Sequence, residues 1–174
     1  KNQNSTIKKK NVEIKEELPE SFKETKLYGI FDPSENNFNL NFWKNTDGKE
    51  FKNIISRINK LKLSTFAEKI FINTLYTYSY LPKDISEEDF LEIKINWIID
   101  NNKDELAETF LEKNNEFKNK KKLIQYLVDK NISTANIAEG CKKVNFISKD
   151  IQDSYLQKFK IYCLIFNNKK NQAN

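Results

Sequence analysis

Two cysteines and a cluster of carboxylates are the groups in this 174-residue sequence whose spacing first suggests chemistry. The carboxylates lie close together, at Glu87, Glu88, Asp89 and Glu92. They could bind a hard cation, but they lack the glycine-containing spacing of a calcium loop. Acidic side chains also stabilise the first turn of a helix, and a helix is predicted to begin here. We therefore predict no metal site, since two cysteines with carboxylates are also a poor ligand set for zinc.

The composition disfavours the common catalytic and cofactor-binding arrangements. Histidine is absent, so the chain lacks the usual general base and cannot form a Ser-His-Asp or Cys-His site. Glycine occurs only at positions 29, 48 and 140, which excludes a Walker A loop and a dinucleotide-binding fingerprint. The single arginine, Arg57, argues against a phosphate clamp. We expect no enzyme activity, no catalytic residues and no cofactor.

The two cysteines, Cys141 and Cys163, lie on the apolar stripes of two consecutive predicted helices. A turn near 148–150 would offset them by roughly 9 Å along the helix axes. A disulfide tolerates that offset only if the helices cross or the turn is asymmetric. Two interpretations remain open: buried thiols that act as small hydrophobic side chains, or a disulfide formed in an oxidising compartment.

Apolar residues at helical spacing, with only 3 Gly and 3 Pro, predict an all-α protein. The predicted helices cover 47–61, a stretch from 64, one from 86, one from 104, 117–130, one from 133 or 134, and 151–166. Ser64 and Ser86 are predicted N-caps, and Asp104 is predicted to cap the fourth helix. The apolar stripe of the second helix includes Phe66 and Ile70.

Residues 90–107 are nearly repeated at 156–173, with an offset of 66 positions. The match includes the turn Asn101-Asn102-Lys103 with its counterpart at 167–169, and Ala107 with Ala173. A repeat after 66 residues corresponds to two units of about 33 residues. Units of this length are typical of stacked antiparallel helical hairpins, as in a tetratricopeptide-like α-solenoid. An ordinary helical bundle is the alternative.

The domain organisation predicted from this pattern has two parts. Residues 1–26 are a flexible charged tail or linker. Residues 27–174 form a helical-repeat domain that is expected to be cut off within its last repeat. Its first part, 27–45, is irregular and aromatic-rich, and we expect it to pack across the first helices. The alternative for this segment is a partner-binding peptide.

Charge is distributed in opposed blocks along the chain. Residues 84–112 carry 2 Lys against 10 acidic residues, and residues 113–174 carry 13 Lys against 5. This polarity favours a scaffold with two differently charged surfaces over a uniform binder of polyanions. The sequence also contains no apolar stretch long enough to span a membrane.

Several of these motifs together resemble a family of uncharacterised bacterial envelope proteins. They are the opening LYGIFDPSENNFNLNFWKNTD, the helix at 51–61, the unit L-x-x-K-x-x-W-I-I-D at 91–100, and the C-x21-C pair ending at Cys163. Members are sometimes labelled antifreeze glycopeptide polyprotein and resemble exported, tetratricopeptide-like arrays longer than this chain. The resemblance implies a periplasmic location and favours the disulfide. This sequence departs from the family in having Lys, Asn and Ile where the family is rich in Ala, Leu and Arg.

The function predicted from these observations is a non-catalytic helical-repeat scaffold or protein-interaction module within a larger envelope assembly. The candidate partner-binding residues are Trp43, Trp97, Tyr126 and Tyr162. The partner is a protein or an assembly subunit. The alternative is a nucleic-acid-binding domain that uses the basic block 113–174, which the single arginine and the adjacent acidic block disfavour. The expected location is periplasmic or otherwise exported, or cytoplasmic if the cysteines are free.

Overall fold

The structure of the protein is a computed structural model, which describes residues 26–114 and 116–167. Within these residues the chain forms seven α-helices and, apart from two isolated β-bridges, no β-structure. The helices are Gly48–Ile58 (α1), Thr65–Tyr76 (α2), Glu87–Asp100 (α3), Asp104–Lys113 (α4), Lys120–Ser133 (α5), Ile137–Lys142 (α6) and Ser154–Phe166 (α7). The predicted all-α class is therefore confirmed for the described residues. None of the described helices is long and apolar enough to cross a membrane.

Two sequence predictions concern parts of the chain that lie outside the described residues. The predicted tail at 1–26 falls there except for Lys26. The last part of the second sequence copy, at 168–173, falls there too.

The sequence predicts caps at Ser64, Ser86 and Asp104, and the structure confirms the first two. Each serine hydroxyl accepts a hydrogen bond from the backbone N–H three residues later, at 3.2 Å for Ser64 and 3.0 Å for Ser86. The prediction for Asp104 is wrong, because Asp104 is the first residue of α4 and makes no cap. Its carboxylate accepts a hydrogen bond from the hydroxyl of Tyr126 instead.

Two helices begin later than the sequence indicates because residues with left-handed backbone precede them. Asn119 has φ 66°, so α5 begins at Lys120. Ala135 has φ 55°, and α6 begins two residues later at Ile137. Helix α5 itself continues to Ser133, where the sequence predicts the start of the next helix. The apolar period places the helices, whereas these turns decide their limits.

A spacing of 33 residues relates two successive helix pairs. Helices α3 and α4 begin at Glu87 and Asp104, and α5 and α6 begin 33 residues later at Lys120 and Ile137. The buried small residues Ala107 and Gly140, in the first turn of α4 and of α6, have the same spacing. So do the left-handed residues Asn102 and Ala135 that follow α3 and α5.

The hydrophobic core is centred on α3, which contributes more buried residues than any other described helix. The buried side chains of α3 are Phe90, Leu91, Lys94, Ile95, Trp97 and Ile98. Helices α4 and α5 both contact α3, and α6 joins α5 to α7. Each of the helices α4, α5 and α7 adds buried apolar side chains to the same core.

The aromatic-rich segment 27–45 is irregular, and its first residues cover α3. Tyr28 and Ile30 are buried, while Phe31 and Trp43 are half-buried. The backbone N–H of Ile30 donates to the carbonyl of Tyr76 at 2.6 Å, where α2 ends. The expected packing across the first helices is thus seen for this part of the segment.

Two buried polar side chains hold this segment in place. The Lys94 ammonium donates to the Tyr28 carbonyl at 2.7 Å and lies 4.5 Å from the centroid of the Phe90 ring. Asn114 pairs with both backbone groups of Gly29, accepting from its N–H at 3.1 Å and donating to its carbonyl at 2.9 Å. Burial without a carboxylate partner lowers the pKa of Lys94 from 10.5 to about 7.

Replacement of Asn114 by Leu should lower the free energy of unfolding by about 2–4 kcal/mol, because it leaves buried groups of Gly29 without partners. Urea unfolding of both proteins measures the difference. Asn101→Ala is the control, since the Asn101 amide donates only to the Trp97 carbonyl, at 2.8 Å, near the exposed end of α3. Equal losses in the two variants would contradict the role assigned to Asn114.

The buried Lys94 should make stability depend on pH. The unfolded chain binds one more proton than the folded chain between the folded pKa of about 7 and the ordinary value of 10.5. The free energy of unfolding should therefore rise with pH in this window, by at most about 1.4 kcal/mol per pH unit, and fall as pH is lowered through it. Lys94→Met should remove this slope in urea titrations, whereas the same change at the exposed Lys158 should leave it intact.

Candidate partner-binding surfaces

The structure separates the four aromatic residues predicted to bind a partner. Trp97 is only 2% exposed and packs between Phe71 and Tyr76, with ring centroids 5.2 and 6.1 Å away. The prediction for Trp97 is therefore corrected, because its side chain belongs to the core face of α3. The other three lie on three different parts of the surface.

Tyr126 is half-buried and joins α5 to α4. Its hydroxyl donates to the carboxylate of Asp104. Burial, together with this hydrogen bond, raises the pKa of Tyr126. Its hydroxyl is thus used within the molecule, and its side chain lines a shallow surface together with Lys122 and Lys130.

Tyr162 belongs to an exposed apolar surface that we call the α7 outer face, made of Ile161, Tyr162, Ile165 and Phe166. Each of these side chains is between 45% and 49% exposed. The Tyr162 ring stacks on Phe159 and Phe166, with centroids 6.2 Å away in both cases. The opposite side of α7 is buried through Leu156, Phe159 and Cys163. Helix α7 is therefore apolar both towards the core and towards solvent.

Trp43 lines a second apolar surface, a groove of about 270 Å³ between α1 and α2. The lining residues are Trp43, Phe51, Ile54, Ile55, Ile58, Leu63, Ala67, Ile70, Phe71, Thr74 and Leu75. The Trp43 indole packs edge-on against Phe51 at 4.9 Å, and its N–H is buried without a hydrogen-bond partner among the described residues. Ile70, which the sequence places on the apolar stripe of the second helix, lies exposed at this groove.

Cys141 and Cys163 form a disulfide in the structure, with their Cα atoms 5.3 Å apart. The offset expected from two long helices does not occur, because α6 ends at Lys142, directly after Cys141. A 3-10 turn at Lys143–Phe146 and an irregular stretch then lead back to α7. The bond attaches α7 to α6, and an oxidising location remains a prediction.

The acidic and basic blocks face one another inside the molecule. Lys118 pairs with Glu88 at 2.7 Å, between the start of α5 and the first turn of α3. Lys143, which is buried, pairs with Glu108 of α4 at 2.7 Å. Parts of the two blocks are therefore neutralised by each other, and they do not form two wholly separate charged surfaces.

The carboxylate cluster at the start of α3 is used for packing and pairing. Glu87 accepts a hydrogen bond from Tyr28, and Asp89 pairs with Lys52 at 3.0 Å. Across the described ranges there is no group of three or more His, Cys, Asp or Glu side chains arranged to bind a metal.

Comparisons with known proteins found no matching family, no matching curated protein and no matching solved structure. The resemblance to bacterial envelope proteins therefore remains a prediction from sequence.

Removal of the disulfide by Cys141→Ser with Cys163→Ser should lower the free energy of unfolding by about 3 kcal/mol, because the bond closes a loop in the unfolded chain. Urea unfolding with and without reductant measures this. Reductant should destabilise the natural chain and leave the double variant unchanged. Alkylation of both cysteines in the native chain without reductant, seen by intact mass, would contradict the bond.

Proposed function

We propose that this chain is a non-catalytic helical-repeat scaffold that binds a protein partner through the α7 outer face. The observation that carries the proposal is the double apolar character of α7. Four large side chains face solvent on a helix whose other side is already in the core. Contiguous apolar patches of this kind on soluble proteins commonly mark interaction sites.

The spacing of the helices supports the repeat architecture in this proposal. Helices α3, α5 and α7 begin at residues 87, 120 and 154, close to a 33-residue series. In stacked helical hairpins each unit buries its apolar face against the next unit. The α7 outer face is the position at which a following helix would pack, so a helix of the partner is its expected occupant.

The disulfide supports binding by holding this face in place. Cys163 lies on the inner side of α7 and is bonded to Cys141 of α6. Leu156 and Phe159 anchor the same side in the core. A surface held rigidly before binding loses less conformational entropy when a partner docks. The place of the scaffold in a larger envelope assembly belongs to the same proposal and comes from the family resemblance.

The nucleic-acid alternative has weaker support in the basic block. Lys118 and Lys143 are engaged by Glu88 and Glu108, so fewer cations remain to neutralise phosphates. Tyr155 could stack on a base, but its hydroxyl donates to Asp129. Salt-sensitive binding of DNA or RNA, measured by fluorescence anisotropy, would favour this alternative, and no binding at low salt would end it.

Replacement of Ile161 and Ile165 by Asp should abolish recovery of a specific protein partner, because two charges then lie in the apolar contact. Affinity purification of tagged chains from native cells, with quantitative mass spectrometry, is the measurement. Recovery of the partner should fall at least about ten-fold. The control is Ile132→Asp, an exposed isoleucine on α5 outside this face, which should retain the partner. Failure of the natural chain to retain any specific protein at any salt concentration would contradict the proposal.

A further inference from the structure

The turn between α1 and α2 carries the two most exposed large hydrophobic side chains among the described residues. We call residues 57–66 the α1–α2 tip. Leu61 is 63% exposed and Phe66 is 74% exposed. Leu61 lies in the turn and Phe66 in the first turn of α2, so both are at the same end of the helix pair. Scattered exposed hydrophobic residues are ordinary, but two such large ones at one tip leave a substantial apolar protrusion.

Exposed cations lie close to this apolar protrusion in the sequence. Arg57, Lys60 and Lys62 lie within the tip and Lys69 follows one turn into α2, all exposed. No acidic residue occurs between Glu50 and Glu68 in the sequence. None of these four cations takes part in an ion pair within the part of the chain that the structure describes.

The nearest acidic residue along α2 does not offset these charges. The Glu68 carboxylate pairs with Lys103, just before α4, at 2.7 Å. The tip therefore combines an exposed aromatic ring, an exposed leucine and an excess of positive charge. Lys118 and Lys143 of the basic block, by contrast, are paired with acidic side chains.

We propose that the α1–α2 tip docks onto an anionic lipid surface, inserting Leu61 and Phe66 between headgroups while Arg57, Lys60, Lys62 and Lys69 contact lipid phosphates. An apolar protrusion and neighbouring cations are the two features that peripheral membrane binding requires. Neither feature is sufficient alone. Insertion of two side chains gives only a marginal free energy of binding, and salt screens the attraction between the cations and the lipid phosphates. The interaction is peripheral, and it would place the scaffold on a membrane while the α7 outer face, at a separate site, binds the partner.

A peptide seated in the α1–α2 groove is the competing occupant, and the geometry disfavours it. The groove is lined by residues such as Ile54, Ile58 and Ile70, and neither Leu61 nor Phe66 lines it. A peptide in the groove would leave these two exposed side chains in water. A lipid surface covers them and also neutralises the cations beside them.

Sedimentation of the 174-residue chain with vesicles tests the proposal. We expect binding to vesicles of equal parts phosphatidylglycerol and phosphatidylcholine, weakened strongly by high salt, and no binding to pure phosphatidylcholine. Lys60→Gln with Lys62→Gln should weaken partitioning about 25-fold, at about five-fold for each cation. Leu61→Ser with Phe66→Ser should weaken it at least about ten-fold, since both side chains leave the lipid.

Matched variants outside the tip distinguish binding at this site from nonspecific adsorption. Ile161→Ser with Ile165→Ser removes two exposed apolar side chains from α7, and Lys149→Gln with Lys158→Gln removes two exposed cations. Both should retain vesicle binding within about two-fold of the natural chain, since neither pair lies at the tip. Circular dichroism of each variant verifies that the helices are intact.

Four results would overturn the proposal. One is failure of the natural chain to bind the anionic vesicles at low salt. Another is an equal loss of binding in the tip variants and the α7 controls, which would indicate nonspecific adsorption. The third is loss of vesicle binding in an Ile70→Ser variant of the groove while Leu61→Ser with Phe66→Ser retains it. A designed amphipathic peptide with acidic flanks that binds in place of vesicles would assign the surface to a protein partner instead.

Discussion

The burial of Lys94 is the constraint on which the rest of the fold depends. An ammonium group in the core needs a hydrogen-bond acceptor, because desolvation of an unpartnered polar group is costly. The acceptor is the carbonyl of Tyr28, which reaches Lys94 only because the segment before α1 lies across α3. Asn114 fixes the same segment from α4 through both backbone groups of Gly29. A side chain at Gly29 has no room, since its Cβ would lie 2.7 Å from the backbone nitrogen of Tyr78.

This arrangement explains how α3 can bury six side chains. The segment before α1 covers one side, and α4 and α5 cover others. The apolar surfaces that remain exposed lie on α7 and on the α1–α2 pair, the last and the first helices of the described chain. The α1–α2 tip has four exposed cations beside its apolar side chains, and none of them has an ion-pair partner among the described residues. The proposed lipid contact follows from this combination of charge and apolar surface, and the proposed partner contact follows from the exposed apolar side chains of α7.

Local signals in the sequence predicted much of the fold. Serine caps at Ser64 and Ser86 were identifiable because a cap requires only the backbone N–H three residues later. The helical period located all seven described helices, and it placed Phe66 and Ile70 on an apolar stripe that the structure leaves exposed. A stripe shows which side of a helix is apolar, but a neighbouring element must be present to bury it. The candidate partner-binding residues were less predictable. Trp97 and Tyr162 are both aromatic residues on predicted helices, but Trp97 lies in the core and Tyr162 lies on the surface.

The sequence by itself determined the all-helical class, the 33-residue relation between segments, and the lack of histidine- and glycine-dependent chemistry. These properties follow from residue types and short spacings, which act over one or two helical turns. Only the tertiary structure decided that Cys141 and Cys163 meet, that Lys94 is buried against Tyr28, and that the acidic and basic blocks partly neutralise each other. Each of these contacts joins residues at least 22 positions apart. Such contacts depend on how the turns orient whole helices. A change of a few residues in where a helix begins, as at α5 and α6, changes which side chains meet.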